Sequence, residues 1–263
     1  LRLATNQISS LNGIENFSNL EFLGCVSNKL DSLNVNDLHN LTYLDCSNNQ
    51  IKKLILNDLK KIKQLYCERN GMQFLHLNNL ENITLIQCGI NELQKVTINK
   101  LPNLETFSCY ENPLDSLDFS GCTNLKKLHC PKNNLAYINI STNYKLIELY
   151  CHGNLLTALN VSANTALTTL QCNKNDIEEL DLSKNIVLID INASENNLKT
   201  INLKNGNNVN FNSAFLFKNS SLTCIQVDNA AFANTSGAFF KDDTALYSET
   251  CSLGIEDSQF SKA

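Results

Sequence analysis

The sequence predicts a curved solenoid that is almost entirely β-structure, with short parallel strands stacked from one repeat to the next. Cysteines recur at every twenty-first position from Cys25 to Cys172, and an asparagine stands three residues after each one. Apolar residues alternate at period two up to that cysteine, as in Leu44 and Cys46, which is the pattern of a strand with one buried face. The half-repeats are also too short for the 3.6-residue periodicity of a helix of ten or so residues.

A fixed internal period makes the 263-residue chain one elongated domain, because each repeat packs mainly against its neighbours. The net charge is −5 and the basic residues are scattered, so the sequence has no basic patch for nucleic acid or anionic lipid. It also has no run of about 18 apolar residues. We therefore expect no nucleic-acid partner and no membrane insertion, and we expect a monomer.

The repeat unit that begins at Leu41 reads LTYLDCSNNQIKKLILNDLKK. Its first half, L-x-x-L-x-C-x-x-N-x-I, matches the leucine-rich repeat signature. Its second half again has apolar residues at every second position, Leu54 and Leu56, which predicts a short extended segment on the convex side. The predicted fold class is an α/β-class leucine-rich repeat solenoid that is in practice almost all β. It is a right-handed curved horseshoe with a concave parallel sheet and little or no helix.

Two sets of residues keep the same phase along the array. The predicted core ladder consists of Cys25, Cys46, Cys67, Cys88, Cys109, Cys130, Cys151 and Cys172. The predicted asparagine ladder, which turns the chain and bonds its backbone, consists of Asn28, Asn49, Asn70, Asn91, Asn112, Asn133, Asn154, Asn175 and Asn196. We expect the cysteine position to continue as Ala193 and Ala214, with Phe217 in place of the next asparagine.

The core ladder is interpreted as a stack of small apolar side chains. Free cysteine ranks among the most buried residue types. The alternatives are zinc ligation and disulfides between neighbouring coils. Zinc sites use close pairs such as C-x-x-C, which this sequence lacks, and the roughly 4.8 Å spacing of stacked strands suits van der Waals contact better than disulfide geometry. We expect no metal site and no cofactor.

The repeat boundaries divide the chain into four regions. We expect residues 1–19 to be a truncated N-terminal repeat of 22-residue type, because their spacing resembles internalin-like repeats. We expect residues 20–209 to form nine 21-residue repeats without insertion, and residues 210–251 a degenerate last repeat and cap. We expect residues 252–263 to be a linker to a missing C-terminal region. Cys224 and Cys251 flank the capping segment outside the array. We expect them to form a disulfide, worth about 3 kcal/mol, and two free thiols are the alternative.

Side chains that flank the inward residues point onto the concave sheet. The predicted ligand-binding strip on that sheet consists of Phe22, Tyr43, Tyr66, Tyr110, His129, Tyr150 and His152. Tyrosine joins an apolar ring to a polar group and is enriched at interfaces, although strand propensity alone also favours it here. Both interpretations stay open at this point.

A metal or acid–base site is conceivable at His129 and His152, with Glu111 and Glu148 as neighbours. An open sheet, however, offers no pocket that excludes water from a reaction. We therefore predict no catalytic residues.

Tandem L-x-x-L-x-C-x-x-N-x-L-x-x-L-D-L-S-x-N units resemble the secreted or cell-surface leucine-rich repeat proteins of Bacteroidetes-type bacteria, over residues 1–251. The segment LTCIQVD is similar to the cap that ends such arrays, and SLGIED is like the linker before a sorting domain for type IX secretion. The resemblance implies a location outside the cell or on its surface and a role in ligand binding.

The expected function is a non-enzymatic binding module that recognises a protein or a glycan on its concave face. A structural spacer is the alternative, and a hydrolase-type enzyme is third.

Overall fold

The computed structural model describes residues 1–57, 59–99 and 101–251. The predicted fold class is confirmed, because across these residues eleven short parallel strands form one sheet, the concave sheet. Its strands are Phe22–Gly24, Tyr43–Asp45, Gln64–Tyr66, Leu85–Gln87, Thr106–Ser108, Lys127–His129, Glu148–Tyr150, Thr169–Gln171, Asp190–Asn192, Ser213–Phe215 and Phe239–Phe240. The expected linker, residues 252–263, lies outside the described residues.

The second half of most coils is extended, as predicted. Within the described ranges these convex strands form separate small sheets rather than one. The pairs are Ser32–Asn34 with Lys53–Ile55, Phe74–Asn78 with Lys95–Asn99, and Ser116–Asp118 with Tyr137–Asn139, and the four-stranded sheet comprises Glu179–Asp181, Thr200–Asn202, Cys224–Gln226 and Leu246–Ser248. The concave sheet is therefore the continuous face of the solenoid.

Helix is confined, in the part of the chain that the structure describes, to three short elements. These are the 3₁₀ turns Ile14–Asn16 and Asn208–Asn210 and the α-helix Ala230–Thr235. Across the same residues, no helix has the length and apolar character to cross a membrane.

The ladder cysteines follow the concave strands directly and form the spine of the core. Their side chains are fully buried. Burial raises the pKa of these thiols, to about 12 for Cys25, Cys130 and Cys172. At neutral pH they are therefore protonated packing groups, because the thiolate is the form that reacts and binds metals. Among the described residues, no group of three or more His, Cys, Asp or Glu side chains is arranged to hold a metal ion.

The asparagines at the turn connect consecutive coils. Asn112 donates through Nδ2 to the carbonyl oxygens of Cys88 at 3.2 Å and Cys109 at 2.9 Å. Its Oδ1 accepts the Leu93 N–H at 3.0 Å. These bonds satisfy buried backbone groups at the bend, which would otherwise be costly. A second buried set, Asn143, Asn164 and Asn185, bonds the coils on the other side of the core.

Two expectations at the end of the array are wrong. Ala214 pairs with Ile191 inside the concave strand, so Leu216 stands where earlier coils have cysteine. The asparagine of this coil is Asn219, which accepts the Leu198 N–H and donates to the Ala193 carbonyl oxygen.

The physical reason is a longer ninth repeat. Asp190 pairs with Ser213, two residues further along than the period predicts, and the longer connection contains the 3₁₀ turn Asn208–Asn210. The array is therefore not free of insertions.

Residues of the expected C-terminal cap pair with the last coil of the array. Phe239 is 9% exposed and packs edge-on against Phe211 and Tyr247, so aromatic rings cover the end of the core. Cys224 and Cys251 form a disulfide with a Cα–Cα distance of 6.0 Å. This bond fixes the end of the cap to the strand Cys224–Gln226.

Candidate binding surface

Outward side chains on the concave sheet form three columns that run along the solenoid. The first column is Phe22, Tyr43, Gln64, Leu85, Thr106, Lys127 and Glu148. The second is Gly24, Asp45, Tyr66, Gln87, Ser108, His129 and Tyr150. The third, two residues after the second, is Ser47, Glu68, Gly89, Tyr110, Pro131 and His152. All seven residues of the predicted strip belong to these columns, and each is half-buried.

The N-terminal part of the strip is an aromatic stack. The Phe22 and Tyr43 rings are nearly parallel, with centroids 4.4 Å apart, and Tyr43 lies 5.4 Å from Tyr66 at a tilt of 38°. The Arg2 guanidinium lies 5.2 Å from the Phe22 ring centroid. Because these rings stack along the solenoid axis, they present edges and hydroxyl groups to solvent more than open faces.

Tyr110 joins this group by leaning toward the N-terminus. A Cβ atom at Gly89 would lie only 2.4 Å from Cε1 of Tyr110, so the tyrosine ring occupies the space that a side chain at Gly89 would fill. Burial raises the pKa of Tyr110, and the negative charge of Glu68 raises it further. Glycine at position 89 therefore lets Tyr110 reach toward Glu68, two coils away.

Two carboxylates lie among these tyrosines. Burial and then the Asp45 charge raise the pKa values of Tyr43 and Tyr66. Burial also raises the pKa of Glu68, although Tyr110 and the nearby Arg69 act in the opposite direction. We call Tyr43, Asp45, Tyr66, Glu68 and Tyr110 the tyrosine–carboxylate cluster.

A second group lies near the middle of the concave sheet. The His129 and Tyr150 rings are stacked, with centroids 4.4 Å apart and planes within 11°. Glu148 lies 2.7 Å from Lys127 Nζ and 3.4 Å from His129 Nε2. Burial lowers the pKa of His129. Burial alone would raise the pKa of Glu148, but its bonds to Lys127 and His129 lower it. The group therefore holds an ionised carboxylate beside a neutral imidazole.

The conceivable acid–base site is divided among separate contacts. Glu111 binds Lys132 at 2.7 Å, and Glu148 binds Lys127. Burial lowers the pKa of His152, whose Nδ1 is buried without a hydrogen-bond partner among the described residues. Each carboxylate is thus paired with a lysine, and Glu148 also contacts His129. Among the described residues, these two glutamates and two histidines do not place a nucleophile beside a base.

Sequence reasoning missed an apolar patch at the C-terminal end of the concave sheet. Phe215 stacks on Phe240 with centroids 4.9 Å apart and meets Phe217 edge-on at 6.1 Å. The shifted register places these residues on the concave side. The signal was present in the sequence, because Leu216-x-x-Asn219 repeats the spacing of Cys-x-x-Asn in earlier coils.

No protein-family model and no curated protein matches the chain. Among solved structures, the functional domain of InlJ from Listeria monocytogenes, described as including a cysteine ladder, is 23% identical over 93% of this chain with a TM-score of 0.63. This chain covers 63% of that InlJ domain.

Two further structures are similar. The internalin InlF from Listeria monocytogenes is 19% identical, with 96% of this chain and 87% of that chain covered and a TM-score of 0.65. YopM from Yersinia enterocolitica is 20% identical, with 87% and 50% covered and a TM-score of 0.66. At these identities the likeness shows the fold alone, which is the leucine-rich repeat solenoid.

Proposed function

We propose that this protein is a non-enzymatic binding module that recognises a protein partner through its concave face. The observation that carries the proposal is the continuous concave sheet with its half-buried aromatic groups at Tyr66, Tyr110 and Tyr150. Partly exposed tyrosine supplies contact area with little loss of side-chain freedom, which suits an interface. Strand propensity accounts for tyrosine in a strand, but it does not account for Gly89 making room for Tyr110.

A protein ligand is better supported than a glycan. A sugar ring stacks on the open face of an aromatic side chain, and the faces of Phe22, Tyr43 and Tyr66 are largely turned toward one another. Ring edges, hydroxyl groups and carboxylates instead suit the polar and apolar groups of a polypeptide.

The proposed location is the bacterial surface or the extracellular space, with export of the Bacteroidetes type by the type IX route. Two observations support it. The repeat and linker patterns resemble those of proteins exported in this way, and the disulfide Cys224–Cys251 suits an oxidising compartment.

The proposal is tested on a combined protein and glycan array. The test variant carries Tyr66→Ala, Tyr110→Ala and Tyr150→Ala. The matched control carries Tyr137→Ala and Tyr144→Ala, which remove tyrosines that are 63% and 61% exposed away from the concave sheet. We expect the wild type and the control to bind the same protein, and the triple variant to bind it at least tenfold more weakly.

Equal binding by all three proteins would show that the concave strip is not the binding surface, and no binding by the wild type would favour the spacer role. Concave-dependent binding to glycans alone would overturn the choice of a protein partner.

A further inference from the structure

We propose that the tyrosine–carboxylate cluster receives an arginine side chain from the protein partner, so that the partner's contact segment is basic. This inference rests on the proposed function and specifies the chemistry of its ligand.

Charge pairing on the concave side distinguishes this cluster from the glutamates further along the face. Glu111, Glu148 and Glu195 each lie within 3.5 Å of a lysine Nζ. Asp45 and Glu68, by contrast, form no salt bridge within 4.0 Å to any Lys or Arg side chain among the described residues. Asp190, which continues the first outward column toward the C-terminus, also forms no salt bridge among the described residues, but its two oxygens accept hydrogen bonds from Asn212 Nδ2 and Ser213 Oγ. The N-terminal part of the face therefore offers two neighbouring carboxylates to an incoming cation, whereas Glu111, Glu148 and Glu195 are paired with lysines.

The surroundings of these two carboxylates strengthen their attraction for a cation. Asp45 and Glu68 are half-buried, and tyrosine rings replace part of the water around them. Burial is the largest effect on the pKa of Glu68 and raises it, which shows that the nearby Arg69 does not compensate for the lost hydration. A cation from a partner would supply that compensation, because charge pairing strengthens as water is excluded.

Arginine fits better than lysine. Its planar guanidinium has five N–H donors, which can bond two acceptors at once and lie against aromatic rings. Asp45 and Glu68 stand on consecutive coils, with hydroxyl acceptors at Tyr43, Tyr66 and Tyr110. The chain's own Arg2 already lies over the first ring of the stack, beside a depression of about 430 Å³ that Tyr43 and Asp45 also line.

The test uses isothermal titration calorimetry at low salt with an acetylated, amidated hexa-arginine peptide. Hexa-citrulline, which keeps the shape without the charge, and hexa-lysine are the comparison peptides. The test variant is Asp45→Asn with Glu68→Gln. The amide introduced at position 45 can retain the bond from the Ser47 N–H to the side-chain oxygen. The matched control, Asp115→Asn with Glu179→Gln, removes two exposed carboxylates from the convex side.

We expect hexa-arginine to bind the wild type and the control within twofold of each other, and the test variant at least tenfold more weakly. Hexa-lysine should bind several-fold more weakly than hexa-arginine, and hexa-citrulline should not bind. Equal losses in the two double variants would overturn the proposal, because they would reflect net charge rather than a site.

The tyrosine triple variant separates this result from the proposed function. One possible result is that the tyrosine triple variant no longer binds the partner, while Asp45→Asn with Glu68→Gln changes neither partner binding nor hexa-arginine binding. The arginine inference is then wrong, and concave binding of a protein stands.

Discussion

At the scale of single residues, one backbone position in each coil adopts the left-handed conformation. It falls three residues after the second outward column, with φ between 51° and 66°, at Ser27, Asn48, Arg69, Ile90, Glu111, Lys132, Gly153, Lys174, Glu195 and Lys218. Asparagine and glycine tolerate this conformation, whereas a β-branched residue does so at a cost. Ile90, with φ of 51°, is therefore the most strained member of the set.

We predict that Ile90→Asn stabilises the protein by about 1 kcal/mol, because backbone strain of this kind costs on the order of 1–3 kcal/mol and part of the side-chain packing is lost. Gly153→Ala changes the equivalent position of a later coil, and we expect it to change stability in the opposite direction. A Cβ there meets Lys132 atoms no closer than 3.5 Å, so strain alone should destabilise it by about 1 kcal/mol. Urea unfolding followed by circular dichroism measures both changes, and effects of the same sign would contradict this account.

A second residue-scale prediction concerns the core ladder. Cys109 is fully buried, and Cys109→Ser should cost about 1–3 kcal/mol, because a hydroxyl group would enter an apolar stack. Cys109→Ala should cost less, since Ala193 occupies the equivalent position in a later coil. Thermal and urea unfolding of the two variants compare them directly. A serine variant as stable as the alanine variant would show that the polarity of the site does not matter.

At the scale of elements, the asparagine ladder fixes one coil to the next, and its members are not equivalent. The Oδ1 atom of Asn112 accepts the Leu93 N–H. The Oδ1 atom of Asn133 is buried without a hydrogen-bond partner in the described part of the chain. Leu114, whose N–H would be the equivalent donor, directly follows Pro113. The ladder is therefore weaker at this coil.

We predict that Asn112→Ala destabilises the protein by about 1 kcal/mol more than Asn133→Ala. The reason is that only Asn112→Ala leaves a buried N–H group, that of Leu93, without its acceptor. Both variants lose their donated bonds to cysteine carbonyl oxygens. Urea unfolding monitored by circular dichroism and tyrosine fluorescence gives the difference. A larger loss for Asn133→Ala would contradict the bonding pattern.

The same elements show what sequence alone could predict. A period of twenty-one residues predicts the strands, the inward Leu and Cys residues and the asparagine turns, because each coil repeats one set of local contacts. Strict extrapolation of that period places Ala214 in the wrong column, since a two-residue longer connection shifts every later side chain. The contact between Tyr110 and Gly89 was also beyond prediction, because it depends on the direction in which one ring leans across a neighbouring coil.

At the scale of the whole molecule, the concave and convex surfaces differ in continuity. The concave sheet continues through eleven strands of the described residues, while the convex strands break into small sheets. A continuous sheet holds its outward columns at a fixed spacing, which suits recognition of an extended partner surface. The proposed binding function therefore depends on the concave face.

Photo-crosslinking tests that central claim most directly. p-Benzoylphenylalanine replaces Gln87, which is half-buried in the second outward column between the two aromatic groups, or Tyr137, which is exposed on the convex side. Each protein is irradiated with the partner identified on the array. We expect a covalent adduct with the partner from position 87 and none from position 137, whereas an adduct from position 137 alone would contradict recognition through the concave face.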